Sequence, residues 1–84
     1  MSPQPAQSVD HLVLGRAVRE IRARFVLSQE RVGQTAGLHR NYVGAIERGE
    51  INPTFKVLLK LSTGLTVPLS DVIRLYEERR EEGG

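Results

Sequence analysis

The apolar residues Leu14, Ala17, Val18, Ile21 and Phe25 recur at i, i+3, i+4 and i+7, with Arg16, Arg19, Arg22 and Arg24 between them. This spacing predicts an amphipathic helix over about residues 10–24. Ser28 then offers an N-cap oxygen to the free amides of residues 29–36, and Glu30 falls in the first turn, where the helix dipole favours an anion. Gly37 is suited to the left-handed conformation that ends a helix, and Leu38 is apolar where a tight turn must be pinned to a core. Val43 and Ile46 form the stripe of a short third helix over residues 40–47, leaving Arg40, Asn41, Gly44 and Ala45 on other faces.

Residues 48–53 read as a loop because Gly49 and Pro53 both stop helices. Thr54 caps a fourth helix with an apolar face of Val57, Leu58, Leu61 and Leu65, and Gly64 closes it near residue 64. Pro68 opens a fifth helix over about residues 69–79, whose stripe is Leu69, Val72, Ile73 and Tyr76. Residues 1–9 are expected to form a disordered leader, residues 10–78 one domain and residues 79–84 a charged flexible tail. No internal repeat is visible.

Composition narrows the fold class. A chain of 84 residues has room for one domain, and two Phe, two Tyr and no Trp leave few large anchors for a sandwich or barrel, so the expected class is all-α. The absence of cysteine excludes disulfides and thiolate metal sites, and there is no apolar run long enough to span a bilayer. Two isolated histidines, His11 and His39, and no phosphate loop or metal-ligand spacing leave nothing from which to assemble a catalytic site. The sequence therefore predicts a protein that is not an enzyme, needs neither cofactor nor metal, has no membrane partner and resides in the cytoplasm with the nucleoid. Charge is unevenly spread: nine Lys/Arg stand against five Asp/Glu in residues 1–60, and three against five in residues 61–84. A basic portion followed by an acidic end suits a polyanion-binding face, although charge runs are more often plain solvated surface.

Two short helices joined by a glycine-containing turn over residues 28–47 have the form of a helix-turn-helix, in which the second helix enters the major groove. The same spacing fits an αα-hairpin inside a small bundle equally well, and periodicity does not choose between them.

Residue detail does. The chain carries Leu14-Gly15, Ile21-Arg22, Leu27-Ser28-Gln29-Glu30, Ala36-Gly37-Leu38, Tyr42-Val43, Ile46-Glu47-Arg48-Gly49 and Asn52-Pro53-Thr54. With these it resembles the phage-repressor/Cro-like helix-turn-helix family, also called the Xre family, over roughly residues 14–73. Residues 37–44 together with Glu47-Arg48-Gly49-Glu50 look most like the controller proteins of restriction–modification systems within that family. The resemblance implies a compact five-helix, lambda-repressor-like fold and a sequence-specific regulator, activator or repressor, bound to double-stranded DNA as a homodimer on a pseudo-palindromic operator. RNA polymerase is a further candidate partner. The alternative on the same fold is an antitoxin-like or protein-interaction module.

The resemblance also assigns roles. Arg40 and Asn41 occupy the base-reading positions, with small Gly44 and Ala45 one turn on, where they permit close approach or contact with a thymine methyl. Gln29 is expected at a phosphate beside the start of the second helix, a natural anion site, together with Ser28, His39, Tyr42, Arg48, Asn52 and Thr54 along the backbone. Arg22 and Glu47 match a structural salt bridge, and Leu69, Val72, Ile73 and Tyr76 form the expected dimer interface. Two positions depart from the family pattern. Gly33 stands where Ala is usual, either to allow closer helix contact or at a cost in helix stability of about 0.5–1 kcal/mol. His39 stands where Ser, Thr or Asn usually caps the next helix, and its imidazole is expected to face a phosphate or base instead, or to be a plain turn residue.

Overall fold

The computed structural model describes residues 5–83, which fold into five helices with no strand among them. These are α1 (Val9–Arg24), α2 (Gln29–Ala36), α3 (Arg40–Glu47), α4 (Phe55–Leu65) and α5 (Leu69–Glu81). α1 lies against α3 and α5, and α2 lies against α3 and α4. Between them Ala17, Val18, Ile21, Val32, Val43, Ile46, Leu61, Leu65, Val72 and Leu75 form one continuous core.

Local chemistry sets the element boundaries. Ser28 and Thr54 cap α2 and α4, their hydroxyls accepting from the backbone N–H groups of Arg31 at 3.0 Å and Val57 at 3.2 Å. Gly37 takes the left-handed conformation at φ 74° as the turn requires. Three expectations need correction. The expected leader ends early: Ser8 caps α1 through the N–H of His11, Val9 is already helical, and Gln7 is tied by its N–H to the Gly49 carbonyl at 2.7 Å. Residues 1–4 of that leader lie outside the described residues. Gly64 does not end α4; it sits inside the helix where a Cβ would come within 2.5 Å of the Val32 carbonyl, and Thr66 makes the turn at φ 63°. Phe25, placed in the α1 stripe by spacing, is the helix C-cap and stands half exposed at 51%, at the rim of a hollow it shares with Val67, Asp71 and Leu75. Val13, one residue off the predicted stripe, is fully buried instead. Next to Phe25, Val26 turns the chain at φ 55° with its side chain 89% exposed, a conformation that strains a β-branched residue.

The expected flexible tail is also shorter than its charge suggested. α5 runs to Glu81, and Arg79 bonds both oxygens of Glu20 on α1, at 2.6 and 3.0 Å. Arg80 and the Tyr76 hydroxyl both donate to Asp10 at 2.8 Å. The charges of residues 79–80 therefore strap α5 to α1. The Arg80 hydrogen bond, then that of Tyr76, holds the Asp10 carboxyl below its ordinary range, and the Arg79 hydrogen bond does the same for Glu20.

The structure decides the reading of Gly33. The N–H groups of both Gly37 and Leu38 return to the Gly33 carbonyl, so the α2–α3 turn folds back over this residue, and a Cβ there would lie 2.4 Å from the Leu38 carbonyl oxygen. Backbone cannot swing aside as a side chain can. Helix propensity alone predicts that Gly33→Ala stabilises, by about 0.5–1 kcal/mol; overpacking against the turn predicts a loss of about 1–3 kcal/mol. We expect the loss, read as a lower urea midpoint with an unchanged m-value, and a raised midpoint would show that the turn can yield.

Candidate nucleic-acid interface

Glu47, the last residue of α3, is a buried hub of the helix-turn-helix unit, 7% exposed. Arg22 of α1 grips it with two parallel bonds, Nε to Oε2 at 2.6 Å and Nη2 to Oε1 at 3.0 Å, and spends its remaining Nη1 on the Leu27 carbonyl at 2.9 Å. The pairing raises the Arg22 guanidinium above its ordinary range, the hydrogen bond it donates to Glu47 outweighing the opposing effect of burial. Gln29 adds a third tie, its amide nitrogen donating to Glu47 Oε1 at 3.0 Å. One carboxylate thus links α1, the first residue of α2, and α3.

That geometry revises the part of Gln29. Expected as a phosphate ligand, its side chain is instead anchored within the protein, with its Oε1 over Gly44. Gly44 is buried between Gln29 and the Arg48 guanidinium, so a base edge would reach its backbone only after those side chains moved; Ala45, partly exposed, is open to contact.

Arg48 lies just beyond α3 and bonds the carboxylate of Glu50, a residue to which the sequence reading gave no role of its own and whose side chain is 8% exposed. This bond, ahead of burial, raises the Arg48 guanidinium. The signal for Glu50 was available, since an acidic residue two positions after an arginine in a tight loop is placed to orient it. The Glu50 backbone carbonyl also accepts the Gln7 side-chain amide at 3.0 Å, so the start of the chain closes the same loop. Arg48 keeps 54% exposure and stays available to a phosphate.

Arg40 and Asn41 open α3 and are both exposed. The Arg40 side chain is 62% exposed and has one opposing charge nearby, Glu30 at 3.8 Å. Tyr42 stands beside them at 36% exposure. Asn52 and Thr54 are exposed on the following loop, the Thr54 hydroxyl being engaged in its cap. The structure corrects His39. Its ring does not point away from the helix terminus: it is the N-cap of α3, with Nδ1 accepting the Asn41 N–H at 3.0 Å.

The expected dimer patch also changes. Val72 is 1% exposed and Leu69 packs on the core, both consumed within the subunit because α5 must cover Leu61 and Leu65. Ile73 and Tyr76 remain at the surface, lining with Leu14, Pro53 and Leu58 a shallow hollow of about 180 Å³. Phe55, 68% exposed, and Leu59, 43% exposed, flank Leu58 along α4 at helical spacing. No helix among the described residues is long and apolar enough to cross a membrane, and no group of His, Asp or Glu among them could hold a metal ion.

Comparison with known proteins agrees with this architecture. Residues 18–72 match the family model described as "Helix-turn-helix". The chain is 43% identical over 61 residues to the uncharacterized HTH-type transcriptional regulator YgzD of Bacillus subtilis, covering 73% of this chain and 92% of that one. It is 34% identical over 71 residues to control protein C.SmaI of Serratia marcescens, covering 84% of each. Among solved structures, the restriction-modification controller protein C.AhdI of Aeromonas hydrophila superposes with a TM-score of 0.75 at 37% identity, over 77% of this chain and 98% of that one. With helices α2 and α3 in place, the Glu47 hub beneath them and a family match over their full length, the chain belongs to the helix-turn-helix family of transcriptional regulators.

Proposed function

We propose that this regulator reads double-stranded DNA through Arg40 and Asn41 as a homodimer on a pseudo-palindromic operator, and that it serves as a controller of a restriction–modification gene pair. The observation that carries the reading is the contrast within α3: its C-terminal residue is locked by three hydrogen bonds from two neighbours, Arg22 and Gln29, whereas its first two side chains are exposed and project from a capped terminus. A fixed helix with free, long, hydrogen-bonding side chains at its entry is what base readout in a major groove needs. Arg48, Tyr42, Asn52 and the terminal amides of α2 supply phosphate contacts on either side. The controller role is supported by the likeness to C.SmaI and C.AhdI. RNA polymerase then becomes the partner through which an operator-bound dimer acts, in the cytoplasm where the DNA lies.

The second copy docks through Ile73, Tyr76, Leu58 and Phe55. Leu58, Ile73 and Tyr76 line one partly exposed hollow, and Phe55 stands 68% exposed one turn before Leu58 on α4, apolar surface that a second copy would cover. Ile73→Glu places a carboxylate there and is expected to convert a dimer to a monomer in sedimentation at micromolar concentration, with helix content retained. A wild type that sediments as a monomer under the same conditions would remove the dimer.

Selection of bound duplexes from a random pool tests the whole reading. The expected product is a two-fold-symmetric motif with half-sites about 10–10.5 base pairs apart, bound with an affinity that falls steeply as salt rises. Weak binding indifferent to sequence would instead favour the antitoxin-like interaction module.

A further inference from the structure

The N-terminus of α3 is satisfied in an unusual way. Ser28 and Thr54 cap their helices with hydroxyls, which accept hydrogen bonds at any pH, but α3 is capped by the Nδ1 lone pair of His39. An imidazole accepts through Nδ1 only when neutral, with its proton on Nε2. Protonation turns Nδ1 into a donor. The Asn41 N–H would then face an N–H, and a positive charge would sit at the positive end of the helix dipole. The charged groups around the ring are Glu30 from α2 and Arg40 from α3 itself; with Gln34, Leu38 and His39 they line one shallow hollow between the two helices. Glu30 and Arg40 are themselves paired at 3.8 Å.

We propose that His39 is a positioning residue for base reading whose neutral imidazole sets the first turn of α3, so that operator discrimination is switched down by protonation of this one ring. The inference rests on the reading of Arg40 and Asn41 as the base-contacting pair. Both project from the turn that the cap fixes, and Asn41 supplies the very amide that is capped. Phosphate contacts from Arg48 and the α2 terminus do not depend on this turn. A cation gained at this place strengthens attraction to any duplex, so the quantity that isolates the cap is the ratio of affinities for the selected operator and an unrelated duplex, not either affinity alone.

The test compares wild type, His39→Ser and His39→Ala between pH 8 and pH 5.5, a window in which imidazole is the unperturbed side chain that changes charge. His11 is present in all three proteins and drops out of the comparison. At pH 8 the serine variant should match wild type, and the alanine variant should lose about fivefold in the affinity ratio, as expected for removal of a cap. At pH 5.5 wild type should fall about fivefold toward the alanine variant while the serine variant holds its pH 8 ratio. A wild-type ratio that does not fall, or a serine variant that falls equally, overturns the proposal. So does an alanine variant equal to serine at pH 8. A nuclear magnetic resonance titration of the free protein separates this from the DNA reading: the Asn41 amide should shift with the same midpoint as the His39 ring in wild type and stay still in the serine variant. A moving Asn41 amide with no operator preference at any pH would sink the reading of α3 and leave the cap intact; a still amide would sink the cap.

Discussion

Glu47→Ala is expected to lower the free energy of unfolding by about 3–5 kcal/mol, the cost of removing one partner of a buried ion pair. Domains of this length have on the order of 4–12 kcal/mol in total, so the variant should be largely unfolded at temperatures where wild type is stable. The size follows from what is left behind. The Arg22 side chain is 18% exposed and loses two of its three bonds, while Gln29 loses the acceptor that holds it over Gly44. Water reaches neither group easily. The loss should appear as a lower urea midpoint and should bring down every DNA affinity together, because folded protein becomes scarce. A double variant, Arg22→Met with Glu47→Leu, removes both charges at once and should recover part of the stability, since apolar side chains of similar volume can replace a buried pair. Glu47→Ala as stable as wild type would show that the bonds at 2.6 and 3.0 Å contribute nothing net, and the hub would lose its structural meaning.

The pair itself was readable in the sequence, yet only through likeness to other chains: Arg22 and Glu47 are 25 residues apart and no local pattern joins them. Elements written in local chemistry were legible directly. Ser28 and Thr54 cap as their positions promise, Gly37 turns left-handed, and Val43 and Ile46 bury as a stripe. Errors arose where tertiary contact decides among equally good local readings. Gly64 looks like a helix stop but is a notch for the Val32 carbonyl, and Thr66 takes the turn at φ 63° despite its branched side chain. Val72 and Ile73 are both apolar neighbours on α5, and only the packing of that helix, chiefly on α1, buries the one and leaves the other partly exposed. Charged residues misled most. The run ending in Arg79 and Arg80 reads as a solvated tail until Glu20 and Asp10 are brought beside it from α1. Glu50 and Gln29 likewise acquire their roles from partners that composition does not reveal. His39 departs from the usual capping residues in identity and keeps the capping geometry, because an imidazole nitrogen can accept where a hydroxyl would.

Arg40→Ala is expected to abolish operator preference while leaving the fold untouched. The side chain is 62% exposed and its one ionic neighbour, Glu30, lies at 3.8 Å, a surface pair worth less than about 1 kcal/mol to stability. A bidentate arginine–guanine contact discriminates by about 1–3 kcal/mol. In a symmetric dimer each copy loses one such contact, so operator affinity should fall by about 2–6 kcal/mol, roughly 30-fold to 10⁴-fold, provided the two half-sites act independently. Binding to an unrelated duplex should fall far less, by the share of a single cation per subunit. Salt dependence distinguishes this from the plainer role in which Arg40 touches only phosphate. In that case operator and unrelated duplexes would weaken in parallel, and the slope of log affinity against log salt would shrink by about 0.9 per subunit for both. Glu30 sharpens the contrast. Without Arg40 its carboxylate, 61% exposed, faces the duplex uncompensated and disfavours every sequence alike, so a small uniform loss is expected on top of the specific one. Glu30→Gln in the Arg40→Ala background should restore that uniform part and none of the discrimination; recovery of operator preference by this second change would place base reading elsewhere on α3.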